Sequence, residues 1–375
     1  MSWLPEQPGN GLDRVYHALY RHLPAAGVDV HGLVAGSDQA CADTDGAVSA
    51  FASDTASLPR RLHRVRRRVR KALKDVRPDL VASHFALYTA PVLDLLGDRP
   101  LVVHFHGPWA QESAVEGAST LSVWAKRALE RLVYRRGTRF IVLSEAFRDV
   151  LTETYNVSAE RVQIVPGGVD VDRFAPTHSR PDARRRLSWP TDRPILLAVR
   201  RLARRMGLEA LIEAVDHLRH TVPDILLLIA GTGPLEDELR ALVEARNLTA
   251  HVRLLGYLPE DDLPHAYRAA DASVVPTRSL EGFGLITVES LATGTPVFVT
   301  PTGGLPNIVR PLAPALLFDG TSAAAMADRL SAALQGALPL PSAEDCRQYA
   351  ITNYSWAAVA RQTRAVYEQA LLHHD

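Results

Sequence analysis

The sequence is poor in the residues that mark several function classes. It holds two cysteines, Cys41 and Cys346, in 375 residues, too few and too far apart for a disulfide framework or a zinc site. That usage suits a reducing compartment. No run of 18 apolar residues occurs, so nothing reads as a membrane span. The opening MSWLPEQPGNG has neither a basic leader segment nor an apolar one, so no signal peptide is expected and a cytoplasmic location is. Basic and acidic residues balance at 42 each, and a net charge of zero offers no global argument for nucleic acid as a partner. A Walker-type lysine loop is missing. The nearest approach to a dinucleotide fingerprint, GTGPLE at 231–236, has Glu236 where the third glycine belongs. No histidine or acidic cluster shows metal-ligand spacing, so no metal is expected. DTD (43–45) and EDD (260–262) read as solvated turns.

What is present is a globular composition, 47% hydrophobic and 22% charged, in a chain long enough for two domains. Short Val/Ile/Leu runs alternate with helical patterns. Strands are expected at 28–35, 80–85, 100–107, 139–144 and 162–168, then at 194–199, 224–231, 252–257, 272–277, 296–300 and 315–318. Continuous apolar strands separated by helices indicate parallel sheets covered on both faces. There are too many strands for one open sheet. The stretch 166–194, rich in Pro, Gly and charge, reads as the junction. The expected architecture is α/β, with two doubly wound Rossmann-like domains facing across a cleft, residues 1–170 and 171–354. A C-terminal amphipathic helix, 355–375, packs on either domain and is placed back on the first.

Ligands of such sheets bind beyond the carboxyl ends of the strands. Four glycine loops fall there. Gly9 and Gly11 precede a helix, Gly231 and Gly233 another, and Gly282 and Gly284 a third, while AVRRLARRMG brings Arg200, Arg201, Arg204 and Arg205. Helix starts offer unpaired N–H groups and a positive dipole end, and glycines let an anion approach the backbone. Each loop alone is ordinary turn chemistry. Together with the arginines they point to a diphosphate. Glu281 and Glu289 stand eight positions apart in RSLEGFGLITVES, roughly 80° apart on one continuous helix. They converge on a ligand only if Glu281 lies in the loop and Glu289 about a turn into the helix. Carboxylates there suit sugar or ribose hydroxyls.

The stretch EGFGLITVESLATGTPVFVTPTGGLPNIV resembles the signature of the retaining glycosyltransferases of family 4, which have the GT-B fold. The likeness continues through IVPGGVDVDRFAP, IAGTGPLEDEL and VRLLGYLPEDDLPHAYRAADASVVPT. It implies a metal-independent retaining transferase acting on a nucleotide sugar, expected to be UDP-linked, with a polysaccharide, a glycolipid or a small hydroxylated metabolite as acceptor. By resemblance, Glu281 contacts donor-sugar hydroxyls and Glu289 holds the ribose. Backbone amides after Gly284, at Leu285 and Ile286 beside Phe283, bind the distal phosphate, and Arg201 neutralises the diphosphate. A histidine ending a first-domain strand lies near the donor sugar and the attacking hydroxyl. His106 is the match, with His104 pointing to the same side of a regular strand. Retention is then explained by front-face attack, the diphosphate taking the acceptor's proton.

Three departures stand out. Arg200 occupies a position where glycine is common, and Met206 one where a lysine is expected; Arg205 is the candidate substitute, since a guanidinium binds phosphate bidentately. Asn307 stands where glutamate is common. Only MSWL precedes the first glycine loop, so the first strand reads as cut short. On the acceptor side, the basic helix pattern of residues 60–77, with Leu62, Val65, Val69, Leu73 and Val76 at helical spacing, suits peripheral contact with anionic lipid or a merely hydrated charged face; WAKRALERLVYRR (124–136) repeats the theme. The rival readings are a non-hydrolysing sugar-nucleotide epimerase of the same fold and a sugar-nucleotide-binding subunit without turnover. A glycosidase using the two glutamates would leave the diphosphate loops without purpose.

Overall fold

The computed structural model describes residues 11–372. They form two compact units, one made of the chain up to Gly167 together with the segment from Trp356, the other of Gly168–Ser355. Gly9 and the short stretch before it lie outside the described residues.

The first unit carries β1 (Gly32–Ala35), β2 (Val48–Ala52), β3 (Val81–Ser83), β4 (Leu101–Phe105), β5 (Arg139–Val142) and β6 (Val162–Ile164). β1 and β2 pair in parallel, and β3-β4-β5-β6 form a parallel sheet in chain order. β4 is buried along its whole length, as a strand covered on both faces must be. Leu101, Val103, Phe105, Phe140 and Val142 share an apolar cluster with Leu96, Val133 and Phe147. The terminal helix, Trp356–Leu372, buries Trp356, Val359, Val366 and Tyr367 and packs on the helix Gly11–His22 and on β4 and β5.

The basic helix is Leu58–Asp75, and part of its apolar stripe packs on the protein. Val65 is buried and, with Val69, packs against Phe51, while Leu73 packs against the cluster of β4. Arg66 is held by Asp94 through two charge-assisted bonds of 2.5 and 2.7 Å, and Arg61 donates to the Tyr88 hydroxyl. The helix Thr120–Arg136 is the reverse case. Leu121, Trp124 and Leu132, at three- and eight-residue steps along one face, are 74%, 68% and 53% exposed, with Arg131 and Arg135 exposed beside them.

The second unit holds β7 (Ile195–Val199), β8 (Leu226–Ala230), β9 (Val252–Gly256), β10 (Ala272–Val275) and β11 (Val297–Val299), all parallel, in the order β11-β10-β7-β8-β9. After β9 the chain returns to the far side of β7, so the order reverses between β7 and β10. That topological switch leaves a crevice beyond the carboxyl ends of those two strands. The helix Leu208–Leu218 covers the sheet with Leu208, Leu211, Ile212, Val215 and Leu218, all buried at helical spacing.

Several expected strands are shorter than the apolar runs that suggested them, and β2 was missed because VSAFA is too rich in Ala and Ser to stand out. The strand expected at 315–318 does not form. Pro314 opens a 3₁₀ turn, Pro314–Leu316, and only Leu317 bridges to Val299.

Candidate active site

The loops after β7 and β10 meet at the switch point. Arg200 continues the ladder of β7, its N–H donating to the Ala230 carbonyl at 2.9 Å. Successive residues of an extended chain face opposite ways. Arg200 therefore turns inward, its side chain only 8% exposed, whereas Arg201 is exposed. The Arg200 Nη2 group lies 2.6 Å from Glu281 Oε2, 2.6 Å from Thr277 Oγ1 and 2.8 Å from the Met206 sulfur. Thr277 in turn donates to Glu281 Oε2 at 3.2 Å, and its carbonyl accepts from the hydroxyls of Thr300 and Thr302. A fully buried threonine at the end of β10 thus fixes the carboxylate from below.

Glu281 lies in the loop and Glu289 is the fifth residue of the helix Leu285–Ala292, the break that convergence of the two requires. Glu289 is buried and accepts from the Tyr267 hydroxyl at 3.1 Å. Gly284 caps this helix in the left-handed region, φ 85°. Phe283 is buried against Tyr354. The helix start has no side-chain cap and no acid in its first turn. The N–H groups of Leu285 and Ile286 have no acceptor among the described residues. The hydroxyl of Thr287, wholly buried, has none either. Such an end is positive and unsatisfied.

The other glycine loop differs. A Cβ on Gly231 would lie 1.9 Å from the Arg200 carbonyl oxygen, and one on Gly233 2.4 Å from that of Leu202. Glycine is required there by backbone packed on backbone. The helix that follows, Glu236–Ala245, carries Glu236, Asp237 and Glu238 in its first turn, so its positive end is already neutralised. These glycines shape the loop that carries Arg200. Gly11 opens the helix Gly11–His22 with no atom of the described residues within 4 Å of a built Cβ, and the loop before it lies outside the described residues.

The remaining arginines of the cluster are engaged elsewhere. Arg204 pairs with Glu238 at 2.9 Å. Arg205 donates from Nη1 to the carbonyl of Leu280 at 3.0 Å, and its own carbonyl accepts from Arg278 N–H. Leu280 has φ 55°, unusual for a branched residue, and directly precedes Glu281. Arg205 thus braces the glutamate loop through Nη1. A pocket of about 460 Å³, lined by Pro194, Leu196, Asp271, Phe298 and Leu330, opens at the amino ends of β7 and β10, the end of the sheet that such folds do not use for ligands.

In the first unit, His106 follows β4 and belongs to a stack of three imidazoles. Its Nε2 is 3.0 Å from Nδ1 of His84, which follows β3, and the His84 ring stacks on that of His104 with centroids 4.1 Å apart. His104 Nε2 meets the Tyr367 hydroxyl at 2.8 Å. Burial holds His106 down to about 4 and, with the neighbouring His106, His104 to about 3; burial and the two neighbours put His84 well below its ordinary value. The trio is therefore neutral at neutral pH. Its ring nitrogens lie within 4.8 Å of one another. Three imidazole donors at that spacing could hold a metal ion. His84 escaped notice because it belongs to no motif; its place just past a strand's carboxyl end was the available signal.

A family model described as "Glycosyltransferase Family 4" matches residues 9–173, and one described as "Glycosyl transferases group 1" matches 179–353. A D-inositol 3-phosphate glycosyltransferase of Corynebacterium glutamicum is 31% identical over 79% of this chain and 73% of its own. The chain belongs to glycosyltransferase family 4. A GDP-mannose-dependent alpha-(1-6)-phosphatidylinositol monomannoside mannosyltransferase of Mycolicibacterium smegmatis is 31% identical over 71% of this chain and 69% of its own. The crystal structure of Anabaena HepE in complex with UDP-glucose superposes with a TM-score of 0.78 over 96% of each chain at 18% identity, which shows the GT-B fold. No helix among the described residues of the glycosyltransferase is long and apolar enough to cross a membrane.

Proposed function

We propose that the enzyme transfers a glycosyl group from a nucleoside-diphosphate sugar, UDP-linked in the first instance, to a hydroxyl acceptor, with retention and without a protein-bound metal. The observation that carries this reading is the helix start at Leu285, uncapped, free of acids and adjacent to the Glu281 carboxylate at the switch point. Its unpaired N–H groups stabilise charge that builds on a leaving diphosphate, and a preorganised dipole does so without rearranging during the reaction. Phe283 holds the turn between Gly282 and Gly284 by its burial. Arg201, exposed at the end of β7, clamps the diphosphate from the solvent side. Glu281 orients the donor-sugar hydroxyls and Glu289 holds the ribose. His106, neutral in its stack, serves the acceptor side in the first unit.

Both curated relatives are named for polyol-type acceptors, an inositol phosphate and a phosphatidylinositol mannoside. A hydroxyl of a small polyol or of a lipid-linked saccharide is accordingly the acceptor class proposed here. Peripheral contact with anionic lipid fits the exposed Leu121–Trp124–Leu132 face better than the basic helix, with a cytoplasmic location assigned on the same reading. The test is nucleotide release from UDP-, GDP- and ADP-sugars with and without such acceptors, in buffer containing a chelator. Glu281→Ala and Arg201→Ala are expected to reduce turnover at least about a hundredfold. Wild-type rates in either variant sink these assignments, and turnover that vanishes with the chelator sinks the metal-free mechanism. A sugar isomer formed without acceptor selects the epimerase instead.

A further inference from the structure

Arg200 was counted with the other arginines of its loop and given no role of its own, yet it makes the closest contact to Glu281 among the described residues. Its side chain is more than nine-tenths buried, and its Nε is enclosed with no hydrogen-bond partner. Only Nη2 is engaged, by Glu281, Thr277 and the sulfur of Met206. The Glu281 carboxyl carbon is itself 3.8 Å from a Cβ built on Gly284, the residue that caps the uncapped helix start. The guanidinium thus sits beside the proposed diphosphate site with donors left over.

The contact with Met206 has a steric meaning. A lysine following the path of the Met206 side chain would carry its ammonium two bonds past the sulfur, into the space the guanidinium fills at 2.8 Å. A cation from position 200 and a cation from position 206 exclude each other. Arg204 and Arg205 are held by Glu238 and the Leu280 carbonyl, so neither takes that space.

Building on the function proposed above, we propose that Arg200 supplies the second cation of the diphosphate site, reaching from position 200 the place that a side chain at 206 would otherwise fill, while positioning Glu281 through Nη2. Its planar group serves both tasks because the donors on Nη1 diverge from the one on Nη2 that holds the carboxylate.

The experiment is a cycle of Arg200→Gly, Met206→Lys and the double variant, with kcat, donor KM and calorimetric binding of UDP and GDP. Arg200→Gly should lower kcat about 10²- to 10³-fold and weaken diphosphate binding about tenfold. Met206→Lys alone, with two cations forced into one space, should lose activity. The double variant should recover to within about tenfold of wild type. Wild-type kcat in Arg200→Gly overturns the proposal, as does a double variant no better than Arg200→Gly. Should Arg200→Gly fail to fold, Arg200→Lys decides: a folded variant with wild-type melting temperature and lowered kcat supports the role, and unchanged kcat refutes it. Wild-type protein that binds neither nucleotide brings down the donor reading and this inference together. Wild-type turnover with an indifferent Arg200→Gly brings down this inference alone.

Discussion

At the scale of single residues, the first unit's imidazole stack is a set of bases kept neutral by burial. His104 and His106 are depressed to about 3 and 4, with His84 well below its ordinary value. A base whose folded pKa is lowered favours folding in its neutral form. Its contribution is whole above the unfolded value near 6.5 and is lost as pH falls from there toward the folded values. At pH 4.5 the loss is on the order of 2 kcal/mol for each histidine not yet protonated in the folded state. His84→Phe, which keeps the stack but removes one base, should narrow the gap between melting temperatures at pH 7.5 and 4.5. An equal or wider gap in that variant places the acid sensitivity elsewhere. Glu281 was legible as a candidate because its stretch reads as a loop that breaks into a helix. Arg200 was not, because nothing in a run of arginines tells which one faces inward; strand alternation decides it, and that phase was unknown until the ladder through Ala230 was seen.

At the scale of elements, the glycine loops show how the same residue meets two different demands. Gly284 leaves a helix end bare, while Gly231 makes room for the carbonyl of Arg200. Gly231→Ala should cost at least about 2 kcal/mol, because backbone must move and φ 139° disfavours a side chain. It should also depress turnover by displacing Arg200. A variant with unchanged melting and unchanged kcat contradicts both. Spacing alone could not separate the two loops. The three acids after Gly233 could, since they occupy the positive end that an anion would need. The helices told a similar story on the lipid side. Basic residues drew attention to 60–77, but Val65 is buried there and Val69 and Leu73 pack against the core, and such packing is a tertiary fact. Trp124→Ser with Leu121→Ser is expected to abolish salt-sensitive sedimentation with anionic vesicles. No binding of wild type at low salt ends the membrane contact altogether.

At the scale of the molecule, alternating apolar runs and helices were enough to indicate parallel α/β architecture, and the ordered motifs narrowed it to GT-B. The extra content lies in how the chain is threaded. The helix Trp356–Leu372 buries four large apolar side chains, Trp356, Val359, Val366 and Tyr367, and packs against β4, β5 and the helix Gly11–His22. Removing residues 356–375 should therefore leave the first unit uncovered and the protein aggregated, whereas a soluble, fully active truncation would show that this helix is dispensable. The second unit, by contrast, is one continuous segment whose ends are pinned side by side, Val169 N–H donating to the Tyr354 carbonyl at 2.8 Å and bridging Ser355. Order of synthesis and order of completion are then inverted. As the chain leaves the ribosome, the segment 168–355 has all its partners before the first unit has received its last helix. The half that is made first is finished last, when the helix that packs on β4 and β5 arrives.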